Sequence, residues 1–369
     1  MLYKLNDIIT EYSEKNVDGI YKPVAVGKYG IRQRSDIYKK ELAKDYSKNK
    51  LIHKDTMIVG MGSTQIDFGI LSKDVTYSVS PAYHTFKIDT KLINSEYFEF
   101  LLQAKNNEYT KKYMIASARQ GKTVNLKDLV KELIEVPSFE VQVKTINRIN
   151  YIKNLIDCEE KQLNLLDELI KSRFVKMFSN YKPEKTINEI ASICRGASPR
   201  PISSFITKDE GENWIKIGDV GENDVYITHT AEKVTKAGAD KSRRVKPGDF
   251  ILSNSMSFGR PYILGINGCV HDGWLIISNY EKTFEPLFFY YLLRSEDVQM
   301  QFDGSANGAT VRNLNSDLVK KVVVMTPPMH KQKEFVAFAE QVDKSKFVVQ
   351  KRIELYKELL NKKMDEYFN

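Results

Sequence analysis

The chain has few cysteines, few histidines and no long apolar run, and each shortage excludes a class of site or location. Its three cysteines, Cys158, Cys194 and Cys269, are widely separated and form no CxxC pair, so the sequence predicts neither a disulfide framework nor a zinc site. The five histidines show no metal-ligand spacing. No apolar run approaches the roughly 18–20 residues that span a bilayer, and residues 1–4 do not begin a signal peptide. We therefore expect a cytoplasmic protein that holds no metal.

The charge balance is mildly basic. Lys and Arg together number 56 against 48 acidic residues, a net charge of +8 over 369 residues. This length is enough for two or three domains, each with its own core. An excess of positive charge is compatible with a polyanionic partner such as nucleic acid but does not demonstrate one.

Two distant stretches of the chain are nearly the same. Residues 121–131 and 308–320 share a glycine, a Thr-Val pair and an Asn-Leu pair. From Pro137 to Phe178 and from Pro327 to Phe368 the two copies stay in register with a constant offset of 190. A duplication of about half the chain predicts two similar modules in a pseudo-twofold relation. Such a protein suits a target that itself has two halves.

Each copy consists of a mixed segment followed by a long charged segment. The mixed segments combine short β-like runs with Gly and Ser breaks and one helical patch, which predicts compact α+β domains. The predicted divisions are an α+β domain at 1–138, a long helix at 139–180, a second α+β domain at 181–328 and a second long helix at 329–369.

The long segments have one narrow apolar seam at heptad spacing, without Gly or Pro, which is typical of a coiled coil. The seam positions are Ile149, Ile152, Ile156, Leu163, Leu166 and Ile170 in the first helix, and Val342, Val349, Ile353, Tyr356 and Leu360 in the second. Such helices have too little apolar surface to be stable alone, so we expect the two copies to pair with each other, antiparallel. The predicted fold class is α+β, with two similar domains joined by two long antiparallel helices.

Four motifs of catalytic or nucleotide-binding sites can be set aside. Gly121-Lys122-Thr123 resembles a relaxed P-loop, but no buried strand precedes it and the second copy has Ala309 in place of the lysine. Residues 326–329 resemble an amino-methyltransferase motif only faintly, since the required amide is absent. No carboxylate cluster of the nuclease type and no serine nucleophile elbow is found. The sequence predicts no catalytic site.

Polar and basic residues cluster in those parts of the two domains that are unlike each other. Arg and Lys contact phosphates or guanine edges, while Ser and Tyr supply shorter contacts. One scaffold with different loops would recognise two different sequences. The candidate DNA-contacting residues are Lys28, Tyr29, Arg32, Arg34, Arg195, Ser198, Arg200, Lys216, Arg243, Arg244, Ser255, Ser257 and Arg260.

The order of two variable domains and two long helices resembles the DNA specificity subunit of type I restriction-modification systems. The motifs that carry the resemblance are residues 214–220, Gly259-Arg260, residues 308–318 and residues 327–332. In the first domain, residues 24–27 (Val-Ala-Val-Gly) stand where the family has a strand like that at Trp214, so the pattern departs there.

The resemblance implies a non-catalytic DNA reader whose two target-recognition domains each contact one half of an asymmetric, bipartite site. It implies double-stranded DNA and two methyltransferase subunits as partners, with a motor-nuclease subunit as a possible third. S-adenosylmethionine would then belong to the methyltransferase, and ATP and Mg to the motor-nuclease, so no cofactor is expected in this chain. Two alternatives stay open: a self-sufficient DNA methyltransferase or nuclease with an unrecognised active site, and a coiled-coil scaffold with no role in DNA binding.

Overall fold

The computed structural model describes residues 1–27, 30–34, 45–117, 121–221, 224–254, 259–305 and 314–368. The chain divides into two compact units. Unit 1 comprises Met1–Lys161 and Gln350–Asn369, and unit 2 comprises Gln162–Val349. Each unit therefore contains one α+β domain together with a part of each long helix, which confirms the predicted fold class.

The first α+β domain is built from short strands and one longer helix. In chain order its elements, with the long helix that follows, are β1 (Leu2–Lys4), α1 (Leu5–Ile8), β2 (Ile9–Tyr12), β3 (Val24–Gly27), β4 (Gly30–Gln33), β5 (Lys50–Ile52), β6 (Thr56–Met61), β7 (Ile66–Leu71), β8 (Tyr77–Val79), β9 (His84–Ile88), α2 (Ser95–Tyr113), β10 (Met114–Ser117), β11 (Gly121–Val124), α3 (Leu126–Leu129), β12 (Leu133–Glu135) and α4 (Phe139–Phe178).

The second domain repeats this order with additional strands. Its elements, with the second long helix, are β13 (Lys185–Thr186), α5 (Ile187–Ile190), β14 (Ser192–Arg195), β15 (Ile206–Thr207), β16 (Glu212–Ile215), β17 (Tyr226–Ile227), β18 (Glu232–Val234), α6 (Lys236–Ala239), β19 (Arg243–Val245), β20 (Phe250–Ser253), β21 (Pro261–Leu264), β22 (Gly268–Val270), β23 (Trp274–Ser278), α7 (Pro286–Leu293), α8 (Glu296–Ser305), α9 (Ser316–Lys321), β24 (Val323–Val324) and α10 (Met329–Phe368).

Both domains contain the same antiparallel sheet. In unit 1 the strand order is β2-β9-β6-β7, and in unit 2 it is β14-β23-β20-β21, extended by the parallel strand β17. The central strands β6 and β20 are almost entirely buried, as expected for continuous apolar runs that pack on both faces. The residues aligned by sequence, Met57 and Phe250, hold the same place: they pair with Phe86 and Ile277 of the neighbouring strand.

The domains differ in what accompanies this sheet. Unit 2 has a second five-stranded sheet with the order β15-β18-β16-β22-β19. Trp214 and Cys269 are buried in its core. Unit 1 has two separate two-stranded pairs, β3-β4 and β5-β8, around a small core that includes Val24 and Ile52.

The long helices pack against each other antiparallel within each unit. In unit 1 the guanidinium of Arg352 lies 2.9 Å from the carboxylate of Glu159. In unit 2 the ammonium of Lys346 lies 2.6 Å from Asp167. The seam positions are buried at Ile149, Ile152, Ile156, Ile170, Val342, Val349 and Ile353, and half-buried at Leu163, Leu166, Tyr356 and Leu360.

A buried glutamine joins the start of each long helix to its own domain. The side-chain oxygen of Gln142 accepts from the backbone N–H of Asn94, the N-cap of α2 (2.7 Å). In the same way Gln332 accepts from the N–H of Glu285, the N-cap of α7 (2.9 Å). Both glutamines are fully buried. Each also donates to the carbonyl of the proline five residues earlier: Gln142 to Pro137 (2.9 Å) and Gln332 to Pro327 (2.7 Å). The repeated Pro–Gln spacing is therefore a docking joint that both copies keep.

Candidate nucleic-acid interface

The structure describes nine of the thirteen candidate DNA-contacting residues. Lys28, Tyr29, Ser255 and Ser257 lie outside the described residues. In unit 1, Arg32 is exposed on β4 and Arg34 is half-buried directly after that strand. The remaining seven candidates are all in unit 2.

One acidic residue, which sequence reasoning did not select, brings three of the candidates together. Asp272 lies in the loop between β22 and β23. Its carboxylate accepts from the hydroxyl of Ser198 (2.6 Å) and lies 3.4 Å from the guanidinium of Arg200. Its backbone carbonyl accepts from Nε of Arg195 (2.8 Å) and from the amide of Asn254 (3.3 Å). We call these five residues the Asp272 cluster.

The loop that holds Asp272 rests on buried aromatic side chains. The ring of His271 contacts both Trp214 and Trp274, with ring centroids 6.3 and 6.0 Å away. The indole N–H of Trp274 donates to the carbonyl of Ile215 (3.3 Å). Both tryptophans are almost completely buried, so the loop is supported by one strand of each sheet of unit 2, β16 through Trp214 and β23 through Trp274.

A glycine allows β14 to approach this loop closely. The N–H of Gly196 donates to the carbonyl of Trp274 (2.9 Å). A Cβ atom at Gly196 would collide with the carbonyl of His271. The strand end that carries Arg195 and the turn that carries Ser198 can therefore lie against the loop only with glycine between them.

The charges of the loop follow from its contacts. The hydrogen bond from Ser198, together with the charge of Arg200, lowers the pKa of Asp272, so its carboxylate is ionised at neutral pH. Burial lowers the pKa of His271, which keeps that ring neutral. A neutral ring can accept at Nδ1, where the N–H of Gly273 donates (2.7 Å).

Two other candidates of unit 2 form ion pairs with acidic residues. Lys216 pairs with Glu232 (2.6 Å), and Arg244 pairs with Glu212 and Asp240 (2.9 Å each). These contacts raise the pKa of Arg244. The remaining two are Arg243, which is exposed on β19, and Arg260, which is half-buried and hydrogen-bonded to Tyr262.

Asp272 could have been found from the sequence by one signal. His271-Asp272-Gly273 connects the buried strand β22 to the buried strand β23, and such a short connection places its polar residues in a turn. Its partners, in contrast, are 18 to 77 residues away in the chain, so no local pattern indicates them.

Neither a metal site nor a membrane span is found in the part of the chain that the structure describes. Among these residues, no group of three His, Cys, Asp or Glu side chains is placed to hold a metal ion. Likewise, none of the described helices combines the length and apolar character of a membrane span.

A comparison with family models matches most of the chain. The model for the type I restriction modification DNA specificity domain matches twice, at residues 3–168 and 179–357. Each match covers one α+β domain and most of the helix that follows it, so the duplication in the sequence corresponds to two copies of this domain.

Curated relatives are distant. The chain is 23% identical over 277 residues to a putative type I restriction enzyme MjaX specificity subunit of Methanocaldococcus jannaschii, covering 68% of this chain and 62% of that protein. It is 28% identical over 159 residues to a putative type I restriction enzyme specificity subunit of Haemophilus influenzae, covering 39% of each. The aligned part thus spans less than two thirds of these relatives.

Solved structures share the fold. One is a chain from a structure that concerns complex assembly and conformational transition of the type I R-M system. It aligns with 100% of this chain and 97% of its own length, with a TM-score of 0.65 and 14% identity. The type I restriction-modification S subunit from M. genitalium aligns over 99% and 95%, with a TM-score of 0.51 and 13% identity. With two family matches along its length, the chain belongs to the type I restriction-modification DNA specificity family.

Proposed function

We propose that this chain is the non-catalytic DNA-recognition subunit of a type I restriction-modification complex, in which each unit contacts one half of a bipartite, asymmetric site. The observation that carries the proposal is the contrast inside the duplication. The helix joints and the main sheet are the same in both units, whereas the strands and polar residues around them differ. A shared frame with unlike surfaces suits a target with two unlike halves.

The division of labour between subunits follows from this proposal. The chain binds DNA through the variable parts of residues 1–138 and 181–328. Two methyltransferase subunits supply S-adenosylmethionine chemistry, and a motor-nuclease subunit supplies ATP- and Mg-dependent cleavage. The curated relatives support this assignment by name, since they are specificity subunits of type I restriction enzymes.

Apolar residues on the long helices support two equivalent partners. Leu165 and Leu169 on α4 are exposed, and so are Leu355 and Leu359 on α10. These pairs are related by the offset of 190, so one pair lies in each unit. Exposed apolar side chains that recur in both copies of a repeat mark a surface that binds another protein. One methyltransferase subunit on each pair gives two per chain.

The DNA proposal is tested by selecting sites from random duplexes with the purified full chain, at a stated salt concentration because phosphate contacts depend on it. We expect a bipartite motif with a fixed gap. Exchanging residues 181–328 for those of another specificity subunit is expected to change one half of the motif only.

Two results would contradict the proposal. A change in both halves after the exchange would show that the units do not contact DNA separately. Methyl transfer from labelled S-adenosylmethionine by the chain alone would show that it is itself an enzyme.

The docking surface is tested by replacing each leucine pair with glutamine, which keeps helix propensity. Co-expression with the methyltransferase is expected to yield two bound subunits for the parent chain and one for either the Leu165→Gln/Leu169→Gln or the Leu355→Gln/Leu359→Gln variant. Stoichiometry is measured by native mass spectrometry. Leu133→Gln, at an exposed leucine away from the helices, is the matched control. Two bound subunits in every variant would place docking elsewhere.

A further inference from the structure

Both carboxylate oxygens of Asp272 are engaged, one by a hydroxyl and one by an arginine. Ser198 donates to Oδ1 (2.6 Å), and Nη2 of Arg200 lies 3.4 Å from Oδ2. The backbone N–H of Asp272 also donates to Ser198 (3.2 Å). The carboxylate is thus held in one orientation, and it in turn restricts where the guanidinium of Arg200 can lie.

The loop that carries Asp272 packs on buried groups. The neighbouring His271 contacts two buried tryptophans, and Gly196 lets β14 approach the loop closely. Arg195 closes the other side by donating from Nε to the Asp272 carbonyl (2.8 Å). The cluster therefore presents polar groups from the strand end, the turn and the loop in a fixed arrangement.

Arg200 itself is open to solvent. Its side chain is 82% exposed although one of its Nη groups is bound to Asp272. A guanidinium has five N–H donors in a planar fork, so several donors stay available for a ligand. The carboxylate of Asp272 binds one Nη group, and the planar fork still matches two acceptors that lie side by side.

The charge balance distinguishes a base from a phosphate as that ligand. The ionised Asp272 offsets the charge of Arg200, so the pair adds little to the general attraction for the DNA backbone. The pair can therefore contribute mainly through the directed hydrogen bonds of the guanidinium. Guanine presents O6 and N7 together in the major groove, and a bidentate arginine is the commonest specific contact to them.

We infer that Arg200, held in place by Asp272, contacts a guanine in the half-site bound by unit 2. Asp272 is a positioning residue, and Arg200 determines specificity at one base pair. This inference rests on the proposed function, since it requires that the chain binds DNA sequence-specifically.

The test compares three variants of the full chain in competition binding on the selected site and on its single-base-pair replacements. Arg200→Lys keeps the charge but removes the fork. Arg200→Ala removes both. Asp272→Asn has nearly the same shape and removes the charge that orients Arg200. Because Arg200 is exposed, unchanged thermal unfolding of its two variants is expected.

We expect Arg200→Lys to lose about tenfold or more in preference at a single G·C pair of the half-site that changes with residues 181–328. Preferences at all other positions stay the same, and affinity for sites without that pair changes little. Arg200→Ala loses the same preference. Asp272→Asn loses part of it, at the same base pair.

Three outcomes would overturn the inference. If Arg200→Lys keeps every base preference of the parent chain, the fork is not used. If Arg200→Ala weakens binding to all sequences alike and makes the salt dependence shallower by about one charge, Arg200 contacts a phosphate. If the parent chain shows no preferred sequence at all, the proposed function fails, and this inference with it.

Discussion

The two units of this chain share a frame but differ in how the frame is extended. In both, a four-strand antiparallel order is docked to the start of one long helix through a buried glutamine. Unit 2 adds a second five-stranded sheet that supports the Asp272 loop, whereas the described residues in the corresponding part of unit 1 form the β3-β4 and β5-β8 pairs. The parts that fit the long helices are repeated in both units, whereas the strands around the main sheet differ.

The ends of the two long helices also combine a shared contact with a difference between the units. Phe178 at the end of α4 packs on Phe288 of α7, with ring centroids 5.0 Å apart. Phe368 at the end of α10 packs on Tyr97 of α2 at 5.2 Å. The positions correspond, but unit 2 surrounds its phenylalanine with additional aromatic rings, Phe174 and Phe335. Equivalent contacts are therefore expected to differ in strength.

The largest effect is expected from removing these phenylalanines. Phe178→Ala should destabilise unit 2 by about 3–5 kcal/mol, because it opens a cavity in an aromatic core. Phe368→Ala should cost unit 1 less, because fewer rings surround it. Denaturant unfolding measures the size of the change, and hydrogen exchange identifies the unit affected. Phe139→Ala, at an exposed position, is the control. Equal losses from both variants would show that the surrounding rings add nothing.

A somewhat smaller and equal effect is expected at the glutamine joints. Gln142→Leu and Gln332→Leu keep the volume but leave buried backbone groups without partners, at a cost of about 2–4 kcal/mol each. Unfolding of the full chain with hydrogen exchange resolves each unit. Gln341→Leu, at an exposed position of α10, should change little. A loss in only one unit would show that the joints are not equivalent.

The smallest expected effect is a pH dependence of stability in unit 1 that unit 2 does not share at the corresponding position. On β7, opposite Gly60, unit 1 has Asp67; the corresponding residue of unit 2 is Arg260, which lies directly before β21 and accepts at its carbonyl from the N–H of Ser253. Burial raises the pKa of Asp67 to about 6. The folded state therefore disfavours the ionised form, and stability should fall as pH rises from about 4 to about 6 and stay lower above that.

Asp67→Asn removes this cost. We expect the variant to be more stable than the parent chain at pH 8 by about 1–3 kcal/mol, with the difference vanishing below pH 4. Thermal unfolding across this pH range, resolved by hydrogen exchange, measures it. Asp18→Asn, at an exposed position, is the control. A difference that grows toward low pH would contradict the assignment, because it would mean that the carboxylate stabilises the fold.

Much of the frame could be predicted from sequence because its signals are local and repeated. The heptad seam predicted both long helices, which the structure places at Phe139–Phe178 and Met329–Phe368. The duplication predicted two similar α+β domains, and aligned residues such as Met57 and Phe250 occupy equivalent strands. The second sheet of unit 2 was not predicted, because its strands are as short as two residues and one of its pairings is parallel, between β16 and β22.

The candidate interface could likewise be predicted from sequence only in part. Composition selected Arg195, Ser198 and Arg200 as potential DNA contacts, since residue type and clustering are visible in a linear chain. That they surround Asp272 depends on a contact between segments about 75 residues apart. Tertiary structure alone decided this, because a carboxylate can orient arginines only after folding brings β14 and the β22-β23 loop together. The amino-acid sequence by itself determined the repeat and its long helices, because the periodic apolar positions of a helix specify its buried face independently of the rest of the fold.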